Sequence, residues 1–223
     1  MGANVLQGSW MALIVAISPI YDALNHDTGS VHSLVTRLDR SIPFIPQFVV
    51  PYVAWYGYIL VMLVWLLYRD AGLYGETLAA IVLGMLASCT VYSVFQTYVP
   101  RPAVVGQDIF SKLTKHIYRH DNPFNAFPSI HVLTSYILFL TADIIKSTAP
   151  LPGIAAQCVS VSIIFSTLFL KQHVVADVVG GMLLARFCLE AVRSLFRGKD
   201  SEHSDPVGGS LRSNCMKIVS FGV

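Results

Sequence analysis

Apolar runs of membrane-spanning length, separated by short polar stretches, dominate this chain. Residues 47–68 carry no charge, are rich in Tyr and Trp, and stop at Arg69-Asp70. Residues 77–100 are again uncharged and end in Gln-Thr-Tyr-Val-Pro. Each reaches the roughly 20 apolar residues a helix needs to cross a bilayer, so both predict spanning helices. Residues 129–147 predict another, opening on Ser-Ile-His and carrying Asp143 and Lys146 near the far end. A Pro-Leu-Pro-Gly turn at 150–153 leads into an uncharged stretch ending at Leu170. The last predicted helix covers 174–196. Its Gly180-Gly181 pair suits close helix packing, and its Arg186 and Glu190 form an i,i+4 pair near the interface. Residues 5–24 hold a shorter apolar core at 10–20, interrupted by Pro19, which reads as a short first span or an interfacial helix.

Between these runs lie a connector reaching residue 46 and a longer loop at 101–128. The connector holds Arg37, Asp39, Arg40 and the Ser-Ile-Pro-Phe-Ile-Pro run at 41–46, whose two prolines argue for extended chain. The loop collects Arg101, Asp108, Lys112, Lys115, His116, Arg119, His120 and Asp121. Residues 197–223 are rich in Gly, Ser, Asp and Lys and read as a disordered tail. The pattern predicts an all-α fold: one domain over residues 1–196, built as a bundle of six transmembrane helices. Six spans put both termini on one side, and Arg193, Arg197 and Lys199 after the last helix favour a cytoplasmic C-terminus.

Composition strengthens this picture. Only 13% of residues are charged, against about 25% in soluble domains, and mean hydropathy is +0.61. The net charge of +2 is small and its basic residues are scattered, so nothing suggests a nucleic-acid surface. Cys89, Cys158, Cys188 and Cys215 have no metal-like spacing and imply no disulfide framework. The opening Met-Gly-Ala-Asn-Val-Leu lacks the basic region of a signal peptide, and Leu6 stands where a myristoylation motif needs Ser or Thr. The small size and the lack of an Asn-x-Ser/Thr sequon suit a bacterial inner membrane. His26, His32, His116 and His120 read as solvated loop residues, and Tyr52, Trp55, Tyr56 and Tyr58 as an interfacial aromatic belt.

The chemistry collects around residues 166–181, where Lys171, His173 and Asp177 sit between apolar segments. If a helix begins near His173, then His173 and Asp177 share one face. A carboxylate beside an imidazole fixes its tautomer and stabilises its protonated form. Two readings compete: a His-Asp pair satisfying itself at the interface, and a nucleophilic or general-base histidine acting on a phosphate. On the six-helix topology three pieces fall on one side of the membrane. They are Arg101-Pro102, Pro128-Ser129-Ile130-His131, and residues 171–177. Two of them begin helices, whose free N–H groups attract anions. One Arg, one Lys, one Ser, two His and one Asp would then converge on an interfacial pocket suited to phosphoryl transfer.

In order, spacing and placement, these three pieces resemble the signature motifs of the type 2 phosphatidic acid phosphatase and vanadium haloperoxidase superfamily. The resemblance covers roughly residues 47–196. It implies His173 as the nucleophile forming a phosphohistidine and Asp177 as the residue orienting it. His131 would be the acid for the leaving group and then the base for water. It implies Arg101, Ser129 and the Ile130 backbone N–H as holders of phosphate oxygens, and it implies neither metal nor cofactor. The substrate would be a lipid phosphate or diphosphate in contact with membrane lipids, of the phosphatidate, phosphatidylglycerophosphate or polyprenyl diphosphate class, with the site on the extracytoplasmic face.

The chain departs from that pattern at three places. Val94 stands where the first motif has Lys, Ser166-Thr167 where the third has Ser-Arg, and Ile130 where the second usually has Gly. Lys171 is the expected replacement for one missing cation, and Arg119 or Lys115 for the other. The bulky Ile130 looks more like the inositol phosphorylceramide synthase branch, so a lipid headgroup phosphotransferase is the alternative. A non-enzymatic transporter or scaffold keeping a degenerate site is the second alternative. The sequence names neither the acceptor nor the oligomeric state.

Overall fold

The computed structural model describes residues 8–202, with side chains through residue 196. Eight α-helices organise it: α1 (Ala12–Leu24), α2 (Arg37–Ser41), α3 (Val49–Arg69), α4 (Ala71–Val94), α5 (Ile109–His120), α6 (Ile130–Thr148), α7 (Pro150–Phe169) and α8 (Val175–Glu202). A 3-10 turn, Pro46–Phe48, leads into α3. The described residues contain no strand, only isolated bridges pairing His32 with Thr97 and Tyr98 with Phe124.

Among the described residues, four segments are long and apolar enough to cross a membrane: Pro46–Arg69, Ala71–Val94, Ile130–Thr148 and Pro150–Phe169. The protein is therefore all-α and membrane-embedded. Helix α1 is apolar but has only 13 residues, about 20 Å of helix. Helix α8 is long enough but carries Asp177, Arg186, Glu190 and Arg193. The expected six spans thus reduce to four by length and apolarity alone.

Several boundaries differ from the expectation, each for a local reason. Asp70 ends α3 and also caps α4, its carboxylate accepting from the Leu73 N–H at 2.9 Å, so α4 starts six residues before Thr77. That helix ends at Val94 rather than Pro100. Its continuation is drawn out by the bridges to His32 and Phe124 and by Gln96, which donates to the carbonyls of Leu24 and His26. The prolines at 150–153 open α7 instead of forming a turn, because first-turn N–H groups need no intrahelical partner. The loop at 101–128 contains α5, capped by Asp108, whose carboxylate accepts from Phe110 and Ser111. Phe110, Leu113 and Ile117 press one face of α5 onto Val49, Tyr52 and Leu170. Helix α8 runs on through residue 202, and the rest of the tail, 203–223, lies outside the described residues.

Helix α6 is the hub, packing against α3, α4, α7 and α8. Leu133, Ile137 and Leu138 on it are fully buried among Leu63, Leu66, Ile81, Ile163 and Leu189. The start of α8 approaches α6 through its glycine pair. A Cβ on Gly181 would stand 2.8 Å from the Ser129 carbonyl oxygen, and one on Gly180 would stand 2.4 Å from the Phe127 ring. The pair expected to permit close packing does so where α8 meets the start of α6.

Candidate active site

Helix α7 ends on a turn that aims the next residues back at the bundle. Lys171 adopts φ +51°, and the N–H groups of Gln172 and His173 both return to the Thr167 carbonyl, at 3.0 and 3.1 Å. Val174 then caps α8. Its N–H donates to the Asp177 carboxylate at 2.8 Å, in the manner of a capping box. His173 therefore precedes the helix instead of sharing a helical face with Asp177, and the carboxylate reaches back to it.

Two acceptors face His173 Nδ1. The Ala126 carbonyl oxygen lies at 3.0 Å and Asp177 Oδ2 at 3.5 Å. The shorter contact is the hydrogen bond; Asp177, wholly buried, adds its charge at slightly longer range. Carbonyl and carboxylate oxygens only accept, so Nδ1 is the donor here, which in a neutral ring leaves the lone pair on Nε2. The Ala126 carbonyl thus shares with Asp177 the orienting role expected of the carboxylate alone, both favouring a proton on Nδ1.

Ser129 is the N-cap of α6, its hydroxyl oxygen accepting from the Val132 N–H at 3.3 Å. Its own N–H donates to the Asp177 carbonyl at 3.2 Å, which joins the start of α6 to the start of α8. Ile130 is the first residue of α6, where backbone N–H groups point out of the helix. His131 lies between Tyr52 and Trp55, with ring centroids at 4.5 and 4.1 Å, and its ring is 6.1 Å from that of His173. Trp55 is held in place by donating to Thr134 at 2.7 Å. The expected aromatic belt therefore splits. Tyr52 and Trp55 are buried supports of His131, Tyr58 donates to the Ala156 carbonyl, and Tyr56 alone is largely exposed. His116 and His120 lie on α5 rather than in a loop, exposed, with tilted rings whose centroids are 4.1 Å apart.

Arg101 reaches the same place. Its guanidinium donates to the Asp121 backbone carbonyl and side chain, to Asn122 O at 3.3 Å and to Gln172 Oε1, and lies 4.7 Å over the Tyr118 ring. Burial pushes the Tyr118 phenol up to about 12, against the pull of the Arg101 charge. Tyr21 and Asn25 also donate to Asp121, so α1 helps hold the arginine's partner.

Lys171 gives its ammonium to the carbonyls of Asp39 and Ile42. Burial lowers its pKa below the usual lysine value, partly countered by Asp39. The Asp39 carboxylate accepts from Thr36 and, at 2.7 Å, from the Val175 N–H. Burial alone would raise the Asp39 pKa, but hydrogen bonds from Thr36 and Val175 and the Lys171 charge bring it below the ordinary carboxylate value.

The three pieces named by the sequence, Arg101, residues 129–131 and residues 171–177, converge as expected. The sequence reading missed Asp39, Gln172, Asp121 and the Ala126 carbonyl. The motif positions without cations stay without them: Val94 is 80% exposed at the end of α4, and the Ser166 and Thr167 hydroxyls bond back within α7. Of the expected replacements, Lys115 donates to the Gly106 carbonyl, and Arg119 is exposed on α5. A cavity of about 400 Å³ opens beside the site, walled by Arg40, Arg101, Lys171 and His173 together with apolar groups such as Val35 and Phe44. Four buried side-chain atoms near it, Arg101 Nε, Gln172 Nε2, His131 Nε2 and Asp177 Oδ1, have no hydrogen-bond partner among the described residues. Buried donors and acceptors of this kind are groups that water or a polar ligand can satisfy.

Comparison with curated proteins and with solved structures found no match. The family model of the PAP2 superfamily matches residues 27–189, which include every residue of the site described above except Tyr21 and Asn25. Members of this superfamily are phosphoesterases or phosphotransferases. With Arg101, His131, His173 and Asp177 all inside the matched span, the chain belongs to the PAP2 superfamily.

Proposed function

We propose that the protein is a multi-pass membrane lipid phosphatase that hydrolyses a lipid phosphate or diphosphate through a phosphohistidine. The observation that carries this reading is His173, which borders the cavity with its Nδ1 proton committed to the Ala126 carbonyl at 3.0 Å. Its Nε2 lone pair is then free to attack phosphorus. The bond from phosphorus to the lipid oxygen breaks as the Nε2–P bond forms, and that oxygen takes a proton from His131. His131, now neutral, accepts a proton from water as the water oxygen attacks the phosphohistidine, which releases inorganic phosphate and restores both rings. Arg101, Ser129, the Ile130 N–H and Lys171 hold the phosphoryl oxygens, and the nearby Asp177 charge stabilises the substituted imidazole. No metal or cofactor takes part in this scheme.

The substrate class is that of phosphatidate, phosphatidylglycerophosphate or polyprenyl diphosphate, presented with its chains in the bilayer. In this reading α1 and α8 complete six spans in a bacterial inner membrane, with the site on the extracytoplasmic side. One observation favours a second acceptor. Ile130, with its bulky side chain, occupies the third place of the Pro-Ser-x-His motif, so headgroup transfer to an alcohol on the same site is the alternative.

The test is phosphate release from a panel of lipid phosphates by wild type and His173→Ala, in detergent with EDTA. Release by wild type that disappears in the variant supports the phosphatase. If wild type releases none but moves a headgroup from a phospholipid donor to an alcohol, the transferase reading replaces it. Silence in both assays, with indifference to orthovanadate, favours a transporter or scaffold.

A further inference from the structure

We propose that Arg40 is a phosphate-binding residue of this site, supplying from the N-terminal connector the positive charge that the motif positions Val94 and Ser166-Thr167 lack. The inference rests on the phosphoryl-transfer reading above and assigns it one more residue.

The argument begins with charge. Three cations border the cavity: Arg40, Arg101 and Lys171. Arg101 is paired with Asp121 at 3.4 Å and donates to two carbonyls and Gln172. Lys171 gives its protons to Asp39 O and Ile42 O and lies beside the Asp39 carboxylate. The pairs Arg101–Asp121 and Lys171–Asp39 are thus near neutrality, and Asp177 adds a negative charge behind His173. Arg101 Nε and the third ammonium proton of Lys171 remain for a phosphoryl group, but a phosphate dianion entering so nearly neutral a site also needs a cation whose charge is not already offset. Arg40 meets that need, because among the described residues its guanidinium has no hydrogen-bond or ion-pair partner.

Position supports the same assignment. Helix α2, which bears Arg40, is fastened to the loop that bears His173 by three bonds. Asp39 Oδ1 accepts from the Val175 N–H at 2.7 Å, and the Lys171 ammonium joins Asp39 O and Ile42 O. A capping box between Thr36 and Asp39 stiffens this short helix. Arg40 is therefore carried on an element locked to the loop of the nucleophile rather than on a free connector. The neighbouring Arg37 shares the helix and its exposure but does not border the cavity, which makes it the natural control.

The test is binding of two probes, inorganic phosphate and dihexanoyl phosphatidate, to detergent-solubilised His173→Ala protein, where no turnover interferes. Residue 40 is varied as Arg40→Ala and Arg40→Lys, and Arg37→Ala is measured alongside. Removing one charge-assisted contact is expected to weaken both probes about tenfold or more in Arg40→Ala, with partial recovery in Arg40→Lys and none of the loss in Arg37→Ala. Thermal unfolding without ligand should be the same in all, since Arg40 is exposed and unpartnered among the described residues. Unchanged affinity of Arg40→Ala for both probes would overturn the assignment and leave the phosphoryl-transfer reading standing. A loss confined to phosphatidate would also overturn it, placing Arg40 on another part of the lipid. Equal losses in Arg37→Ala and Arg40→Ala would reduce the effect to general surface charge and overturn it too. If the His173→Ala protein binds neither probe with Arg40 intact, the reading of the site itself falls, and Arg40 with it.

Discussion

Gly181 packs so closely on Ser129 that a methyl group added to it would stand 2.8 Å from the Ser129 carbonyl oxygen. The obstacle is backbone, which cannot rotate aside. Gly181→Ala must therefore push the start of α8 away from the start of α6. Overpacking of this kind costs about 1–3 kcal/mol. Because these two helix starts carry His173 with Asp177 and Ser129 with His131, the displacement also separates the groups to which the proposed mechanism assigns the chemistry. We expect Gly181→Ala to fold with a lowered unfolding temperature and to lose activity by about a hundredfold, since small misplacements in such sites are that costly. Thermal unfolding and kcat measured on the same preparation check both halves, and full activity at reduced stability would refute the geometric one.

Asp39 links the connector to α8 through the Val175 N–H at 2.7 Å, and its pKa in the folded protein lies below the ordinary value. A carboxylate with a depressed folded pKa adds stability that is fully present above its unfolded value, near 3.9, and is lost as pH falls through the lower folded value. Asp39→Asn should therefore be less stable than wild type at pH 7, and the gap should narrow as pH drops below about 4. Unfolding in detergent across pH 3–7 reads this directly. A gap that does not change with pH would mean the carboxylate charge contributes nothing.

Four membrane-length helices were legible because long uncharged runs have few alternatives, and the grouping of Arg101, Ser129, His131, His173 and Asp177 was legible because they lie in short local patterns. What escaped depends on contacts distant in sequence. Asp39 and Val175 are 136 residues apart, and Asn25 and Asp121 are 96 apart, so no local pattern announces either bond. Helix α5 was readable in principle. Asp108 caps it, and Phe110, Leu113 and Ile117 recur at helical spacing, but the surrounding Lys, Arg and His residues gave the segment the composition of a loop. Tyr52 and Trp55 passed for an interfacial belt because composition cannot tell which face of α3 meets His131.

Lys171 holds φ +51°, a conformation that costs a residue with a Cβ roughly 1 kcal/mol and costs glycine almost nothing. It nevertheless occurs here, with the ammonium on Asp39 O and Ile42 O. Lys171→Ala loses that link and keeps the strain; Lys171→Gly loses the link and relieves the strain. We expect Gly to be more stable than Ala by about 1 kcal/mol, the reverse of the order inside a helix. Activity separates linkage from phosphate binding. If Lys171 also holds a phosphoryl oxygen, both variants lose activity alike, whatever their difference in unfolding temperature.

Arg101 presents a planar fork that engages Asp121, Asn122 and Gln172 while its face lies 4.7 Å over Tyr118. A lysine has the charge but neither the fork nor the flat face. Arg101→Lys should keep the fold and lose transition-state stabilisation, lowering kcat/KM by about tenfold for each charge-assisted contact that is not replaced. Inhibition by orthovanadate should weaken in parallel, because the same donors would hold vanadate in the pentavalent geometry. A drop in kcat/KM with undiminished vanadate inhibition would move Arg101 from the phosphate to the framework around it, leaving Ser129, Ile130 and the cations at 40 and 171 as the groups to vary next.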